Sequence, residues 1–260
     1  MEASVIDSAK ELITNGGSQW LDFGVADATA WEVGLSCGGK ISVLVMAVSE
    51  AGFSPHLLTS GVESLVRRQT VCFRLPVNGG HAQKSEKVSE ASKLEGDEFL
   101  FVQAPRPQLI IIGAVHISQH LASMAIQTGF DVTVIDPRRT FATAERFPGI
   151  KLVFDWPDIA LDDISLDGET SLVALTHDPK IDDTALHQVL GKPLFHIACL
   201  GSRRTHAARL ERLSEAGFSD ADTARIKGPA GLNIGAKTPA EIAVSVLGEL
   251  VAAYRGRALQ

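Results

Sequence analysis

Five short runs dominated by apolar residues, 109–113, 132–135, 151–154, 172–175 and 194–199, set the organisation of the second half of the chain. None alternates apolar with polar positions, which suits strands covered on both faces, as parallel strands are. Between the first two runs, Ile117, Leu121, Met124 and Ala125 fall on one face of a helix, so residues 109–139 read as a β-α-β unit. The continued alternation predicts an α/β fold: a Rossmann-like, doubly wound parallel sheet whose right-handed crossovers bring the C-terminal strand ends to one edge. The last helix is announced by Thr238 and Glu241 as a capping box and by Pro239 at the first helical position, with Ile242, Val246 and Leu250 facing the core.

The first part has a different rhythm. Val5, Ile6, Ala9, Leu12 and Ile13 recur at helical spacing, strand-like pieces follow over 20–25 and 41–48, and a helix over about 55–69 carries Leu58, Val62, Leu65 and Val66 on one face before a strand over 70–77. This predicts a smaller α+β domain, residues 1–78, preceding the Rossmann-like domain, residues 99–260. The polar stretch 79–98 reads as a linker or hairpin. Such a small mixed domain should expose strand edges and an apolar helix face, so a homodimer or a complementing partner chain is expected.

Composition narrows the function. A net charge of -7 with no basic tract argues against nucleic acid as a partner. No apolar run approaches the roughly 18 residues of a membrane span, and the polar start lacks a signal peptide's basic and apolar segments, so no membrane partner and a cytoplasmic location are expected. Cys37, Cys72 and Cys199 are widely spaced and odd in number, which indicates neither a disulfide framework nor a structural zinc site.

The candidate chemistry lies at turns. Gly113 ends the first Rossmann strand, but the fingerprint G-x-G-x-x-G reads GAVHIS, with Val115 and Ser118 in the second and third glycine positions. Asp136, ending the second strand, stands where such a unit accepts hydrogen bonds from a ribose. His116 could donate to a phosphate from the turn, and its spacing to His120 could hold a metal, although no HExxH is present. His177 and Asp178 form a polar pair or a helix cap. Gly201, Ser202 and Arg203 open a helix and could hold an anion through backbone amides, hydroxyl and guanidinium. In GLSCGG, Cys37 followed by Gly38 and Gly39 could ligate a soft metal or carry a persulfide, or could be a small buried residue in a tight turn.

Taken together, GLSCGG, GAVH, DPRRTFATAERFP, LTHDPKIDD, GSRRTHAARLERL and GPAGLNIGAKTPAEIAVSVLGELV run over nearly the whole chain and resemble the XdhC/CoxI family of molybdenum hydroxylase maturation factors. The resemblance implies a chaperone, not a catalyst. It implies binding of the molybdenum cofactor (molybdopterin, with or without a nucleotide), help with its sulfuration by a cysteine desulfurase, and insertion into an apo molybdenum hydroxylase of the xanthine dehydrogenase or CO dehydrogenase type. Carried over by position, Cys37, Gly38 and Gly39 would handle the cofactor, with Cys37 touching molybdenum or sulfur. Gly113, His116, Asp136, Arg138, His177, Gly201, Ser202 and Arg203 would line the pterin phosphate or its nucleotide. Family members carry a further N-terminal segment ending in SGGCVE, and this chain starts where that motif would finish; a separate chain supplying the segment, or a truncated form, is the expectation. The alternative reading is an NAD(P)- or nucleotide-binding oxidoreductase or regulatory Rossmann protein.

Overall fold

The structure, a computed structural model, describes residues 1–24, 40–89 and 91–256. It divides into two compact units, Met1–Pro105 and Arg106–Gln260.

The first unit runs α1 (Glu2–Asn15), β1 (Ser18–Gly24), β2 (Lys40–Met46), α2 (Pro55–Val66), β3 (Val71–Pro76), β4 (Gln83–Lys84), β5 (Lys93–Glu95) and β6 (Glu98–Gln103). β1 and β2 pair antiparallel, and a second antiparallel sheet has the order β4-β3-β6-β5. The polar stretch therefore contains two short strands, and β6 belongs to this unit because both its neighbours do. Of the apolar stripe of α2 only Leu65 meets the core. Leu58, Val62 and Val66 are exposed, whereas Gly61 and Ser64 are buried and Leu57 and Leu65 pack on the Phe53, Val71, Phe73 and Leu75 cluster. The helix approaches so closely that a Cβ on Gly61 would lie 2.8 Å from the Phe73 ring. Small residues, not large ones, set that contact.

The second unit runs β7 (Gln108–Ile112), α3 (His116–Gln127), β8 (Asp131–Ile135), β9 (Lys151–Val153), α4 (Pro157–Asp162), β10 (Thr170–Ala174), α5 (Pro179–Val189), β11 (His196–Cys199), α6 (Arg203–Glu215), α7 (Asp220–Thr223), β12 (Ile226–Lys227) and α8 (Pro239–Tyr254). Its six strands are all parallel, in the order β12-β11-β10-β7-β8-β9. That is the Rossmann order, reversing direction between β7 and β10, where open α/β sheets bind ligands. Alternate residues of β7 serve two cores: Leu109 and Ile111 pack with α3 and α8, and Ile110 and Ile112 pack with α4, α5 and α6. Burial on both faces explains the unbroken apolar run, each such side chain contributing roughly 1.5–3 kcal/mol. The Thr238–Glu241 capping box forms as the sequence predicts, but Ile242 is only half-buried beside the buried Val246 and Leu250. β11 begins at His196, and burial holds that imidazole down at about 4. β12 is a sixth strand of two residues, too short to leave a pattern.

Candidate functional site

The C-terminal ends of β7, β8, β10 and β11 carry Gly113, Asp136, Thr176 and Gly201 to one sheet edge. Gly113 has φ +105, and a Cβ there would lie 2.5 Å from Thr176 Cγ2, so both backbone conformation and the approach of the β10 end require glycine. Thr176 is itself fixed: its hydroxyl donates to Asp182 Oδ1 at 2.6 Å.

Asp136 is fully buried, and this chain's own donors occupy its carboxylate. The Ala114 amide donates to Oδ2 at 2.7 Å, and the Arg138 amide and Nε donate to Oδ1, both at 2.9 Å. Arg138 Nη2 completes the fork on Oδ2 at 2.8 Å. Burial works against ionisation, but the Arg138 side chain and the two amides outweigh it and hold the carboxyl below its ordinary range. The residue expected to meet a ribose instead locks the glycine turn to the loop after β8. Ser118, in the third glycine position, is also turned inward: it accepts from the Val115 amide at 3.3 Å and donates to the Gly113 carbonyl.

His116 and His120 are exposed on α3, and no cluster of three metal-binding side chains occurs among the described residues. His177 is exposed with φ +63, and its neighbour Asp178 caps α5 by accepting from the Lys180 amide at 3.0 Å. Of the two readings of that pair, the cap is the one formed. Gly201 has φ +144 and Ser202 caps α6, accepting from the Thr205 amide at 3.1 Å. Arg203 and Arg204 are exposed and make no ion pair among the described residues. Cys37, Gly38 and Gly39 lie outside the described residues.

Sequence reasoning missed the polar pair beneath this edge. Arg209 and Asp182, with side chains 3% and 1% exposed, stand 3.8 Å apart, an ion pair too long to be a hydrogen bond. Arg209 Nη2 donates to the Leu200 carbonyl at 3.2 Å, just before the Gly201 turn, while its Nε, 4.0 Å from Asp183 Oδ1, its Nη1 and Asp182 Oδ2 make no hydrogen bond. Burial pushes the Asp182 carboxyl up, against the Thr176 hydrogen bond and the Arg209 charge. No local pattern marks either residue, because each lies on a helix and meets the other only through the fold. Beside β11, the Ala230 amide donates to the Cys199 carbonyl at 2.9 Å, and the buried Glu249 accepts from the Gly231 amide, so the glycine-rich loop is strapped between sheet and α8. Cys199 is buried, and burial pushes its thiol up to about 12.

Residues 109–250 match the XdhC Rossmann domain, more than half of the chain. The chain belongs to this family. Relatives of this XdhC-family chain include the uncharacterized protein YqeB of Escherichia coli, 34% identical over 197 residues, covering 75% of this chain but 36% of YqeB. A protein of Bacillus subtilis named as a probable xanthine dehydrogenase component is 27% identical over 246 residues, covering 86% of this chain and 72% of that protein. The molybdenum cofactor insertion chaperone PaoD of Escherichia coli is 26% identical over 252 residues, covering 96% and 70%. A crystal structure of a protein named xanthine dehydrogenase, from Bacillus halodurans, superposes with a TM-score of 0.76 at 23% identity, covering 99% of this chain and 81% of that one, a likeness of fold. Among the described residues no helix is long and apolar enough to cross a membrane.

Proposed function

We infer that this XdhC-family chain is a molybdenum-cofactor chaperone that assists sulfuration and insertion of the cofactor into a hydroxylase of the xanthine dehydrogenase or CO dehydrogenase type. The observation that carries this reading is the Rossmann edge itself. Its fingerprint amides at Ala114 and Val115 are consumed by Asp136 and Ser118, while arginines stand free of ion pairs at the first turn of α6. That arrangement suits a phosphate-bearing ligand better than a dinucleotide whose pyrophosphate would lie on the turn. PaoD, a cofactor insertion chaperone by name, supports the same direction.

The exposed guanidinium of Arg203 and the hydroxyl of Ser202 at the first turn of α6 suit a phosphate of the cofactor or of its nucleotide. Ser202 and Arg203 would hold a phosphate of the cofactor's nucleotide form; Arg138, committed to Asp136, would shape the edge after β8; and Cys37 is proposed separately as a contact to molybdenum or sulfur. The bound cofactor supplies the metal centre that the hydroxylase later uses. This chain's own residues would bind and orient it and withhold water. A cysteine desulfurase, the apo-hydroxylase and a second copy of this chain are the partners this role needs.

The test is uptake of molybdopterin by the purified protein, measured as its fluorescent oxidation product, with Cys37→Ala beside the parent. At least tenfold weaker uptake in the variant is expected. Absence of uptake by the parent overturns the chaperone reading, and equal uptake removes Cys37 from it. The oxidoreductase alternative expects NAD(P) to raise the Tm at millimolar concentration.

A further inference from the structure

Beyond the ends of β8 and β9 stands a group of exposed aromatic residues. Among the described residues, the phenylalanine, tryptophan and tyrosine side chains that stand exposed are Phe141, Phe154 and Trp156, at 44%, 36% and 47%. All three follow neighbouring parallel strands: β8 and β9 pair through Ile135 and Val153, and the Asp136 amide donates to the Val153 carbonyl at 3.1 Å. Two of the rings carry a guanidinium. Arg138 lies 4.7 Å from the centroid of Phe141, and Arg139 lies 5.3 Å from that of Phe154. Burying exposed rings elsewhere in the unit while leaving these three at the ligand-binding edge of an α/β sheet is not a packing requirement.

We propose that this edge is a subsite for a planar heterocycle carrying a phosphate, the ring stacking on Phe154 and Trp156 and the phosphate meeting Arg139. The chemistry follows from which groups are spent. A Rossmann site that recognises a ribose offers a carboxylate after its second strand, and one that recognises a phosphate offers an arginine there. Here both oxygens of the carboxylate, Asp136, are taken by Arg138 and two amides. Arg139 makes no ion pair among the described residues, and its contact with Phe154 orients the guanidinium without neutralising it. Ring faces recognise any flat heterocycle, and a fixed guanidinium selects among them for an anionic substituent. A pterin phosphate has both features, so the subsite deepens the cofactor reading and rests on it.

The test uses two fluorescent probes, neopterin monophosphate and neopterin, titrated into the full chain and followed by anisotropy. Parent protein should bind the phosphorylated probe at least tenfold more tightly than the other. Arg139→Ala should abolish that preference, and Phe154→Ala and Trp156→Ala should weaken both probes by about tenfold. Arg255→Ala is the charge control, expected to change nothing: Arg255 follows α8 beside Tyr254, whose ring packs on Phe130 and Phe195 ahead of β8 and β11, at the other end of the sheet. Equal affinity for the two probes, or variants that bind as the parent does, overturn the subsite. A parent that ignores both probes yet takes up molybdopterin overturns the subsite and leaves the chaperone reading standing; failure of both assays removes both. Unchanged probe binding together with loss of apo-hydroxylase capture in the aromatic variants would make the surface a protein contact, and would equally overturn the proposal.

Discussion

Substituting alanine for Gly113 tests the geometry on which the sheet edge depends. Two penalties are separable. A non-glycine residue at φ +105 costs about 1–3 kcal/mol of backbone strain. The added methyl, 2.5 Å from Thr176 Cγ2, costs a further 1–3 kcal/mol, roughly, as overpacking. The threonine cannot swing away freely, because its hydroxyl is held at 2.6 Å by Asp182. A loss near 4 kcal/mol, at a urea m-value of about 2 kcal/mol/M, lowers the unfolding midpoint by about 2 M. Thr176→Ser keeps that hydroxyl and removes the obstructing methyl, so it should cost about 1 kcal/mol alone. In combination it should return most of the overpacking penalty and none of the strain. Trp156 is the sole tryptophan of the second unit, so urea titrations in a Trp20→Phe, Trp31→Phe background read that unit alone. The reasoning is refuted if the double variant Gly113→Ala, Thr176→Ser shows strictly additive losses, or if Gly113→Ala costs under about 1 kcal/mol.

Asp136→Asn leaves Arg138 without its carboxylate and should cost about 3 kcal/mol. Because the folded carboxyl titrates below its ordinary range, its contribution is complete above about pH 4 and is lost as pH falls through the folded value, so the variant should have a flatter acid limb when Tm is followed against pH. Arg209→Met strands the buried Asp182 and should cost about 3–5 kcal/mol, whereas the double change with Asp182→Leu should cost less than the single one, read by urea unfolding. Cys199, buried and raised to about 12, should resist iodoacetamide at mildly alkaline pH in the folded protein and be labelled in denaturant, as peptide mass spectrometry would show; labelling in the native state would place that thiol in a less enclosed environment than it has here.

The parallel sheet was legible because residues such as Ile110 and Ile111 are buried on opposite faces, and that requirement writes an unbroken apolar run into the chain. The start of α8 was legible because the partners in its cap, Thr238 and Glu241, are three residues apart. What failed to show was decided by partners distant in sequence. In α2, Leu65 of the stripe Leu58, Val62, Leu65 and Val66 packs on the core but the other three are exposed, since Phe73 comes so near that glycine is required at Gly61. At the site, Gly113 was found from its place after a strand, but the inward turn of Asp136 depends on the Ala114 amide across the sheet edge. The Arg209–Asp182 pair, joining α6 to α5, leaves no periodic trace in either helix.

The departures from the dinucleotide fingerprint compensate one another. Val115 stands where a glycine would let a pyrophosphate approach, and its amide, which such a ligand could have used, already donates to Ser118. Ser118 stands where a glycine would let helix and strand close up, and its hydroxyl bridges that gap by donating to the Gly113 carbonyl. The Ala114 amide goes to Asp136, which in turn has no oxygen left for a ribose. Loss of the glycines alone would leave bare amides and an idle carboxylate in a buried turn, each costing free energy unless paired. Here every one of them is paired within the chain, so the turn is closed on itself as a structural unit. The ligand proposed for this edge would then take its hydrogen bonds from arginine side chains rather than from the turn, as the chaperone reading expects and a dinucleotide site does not.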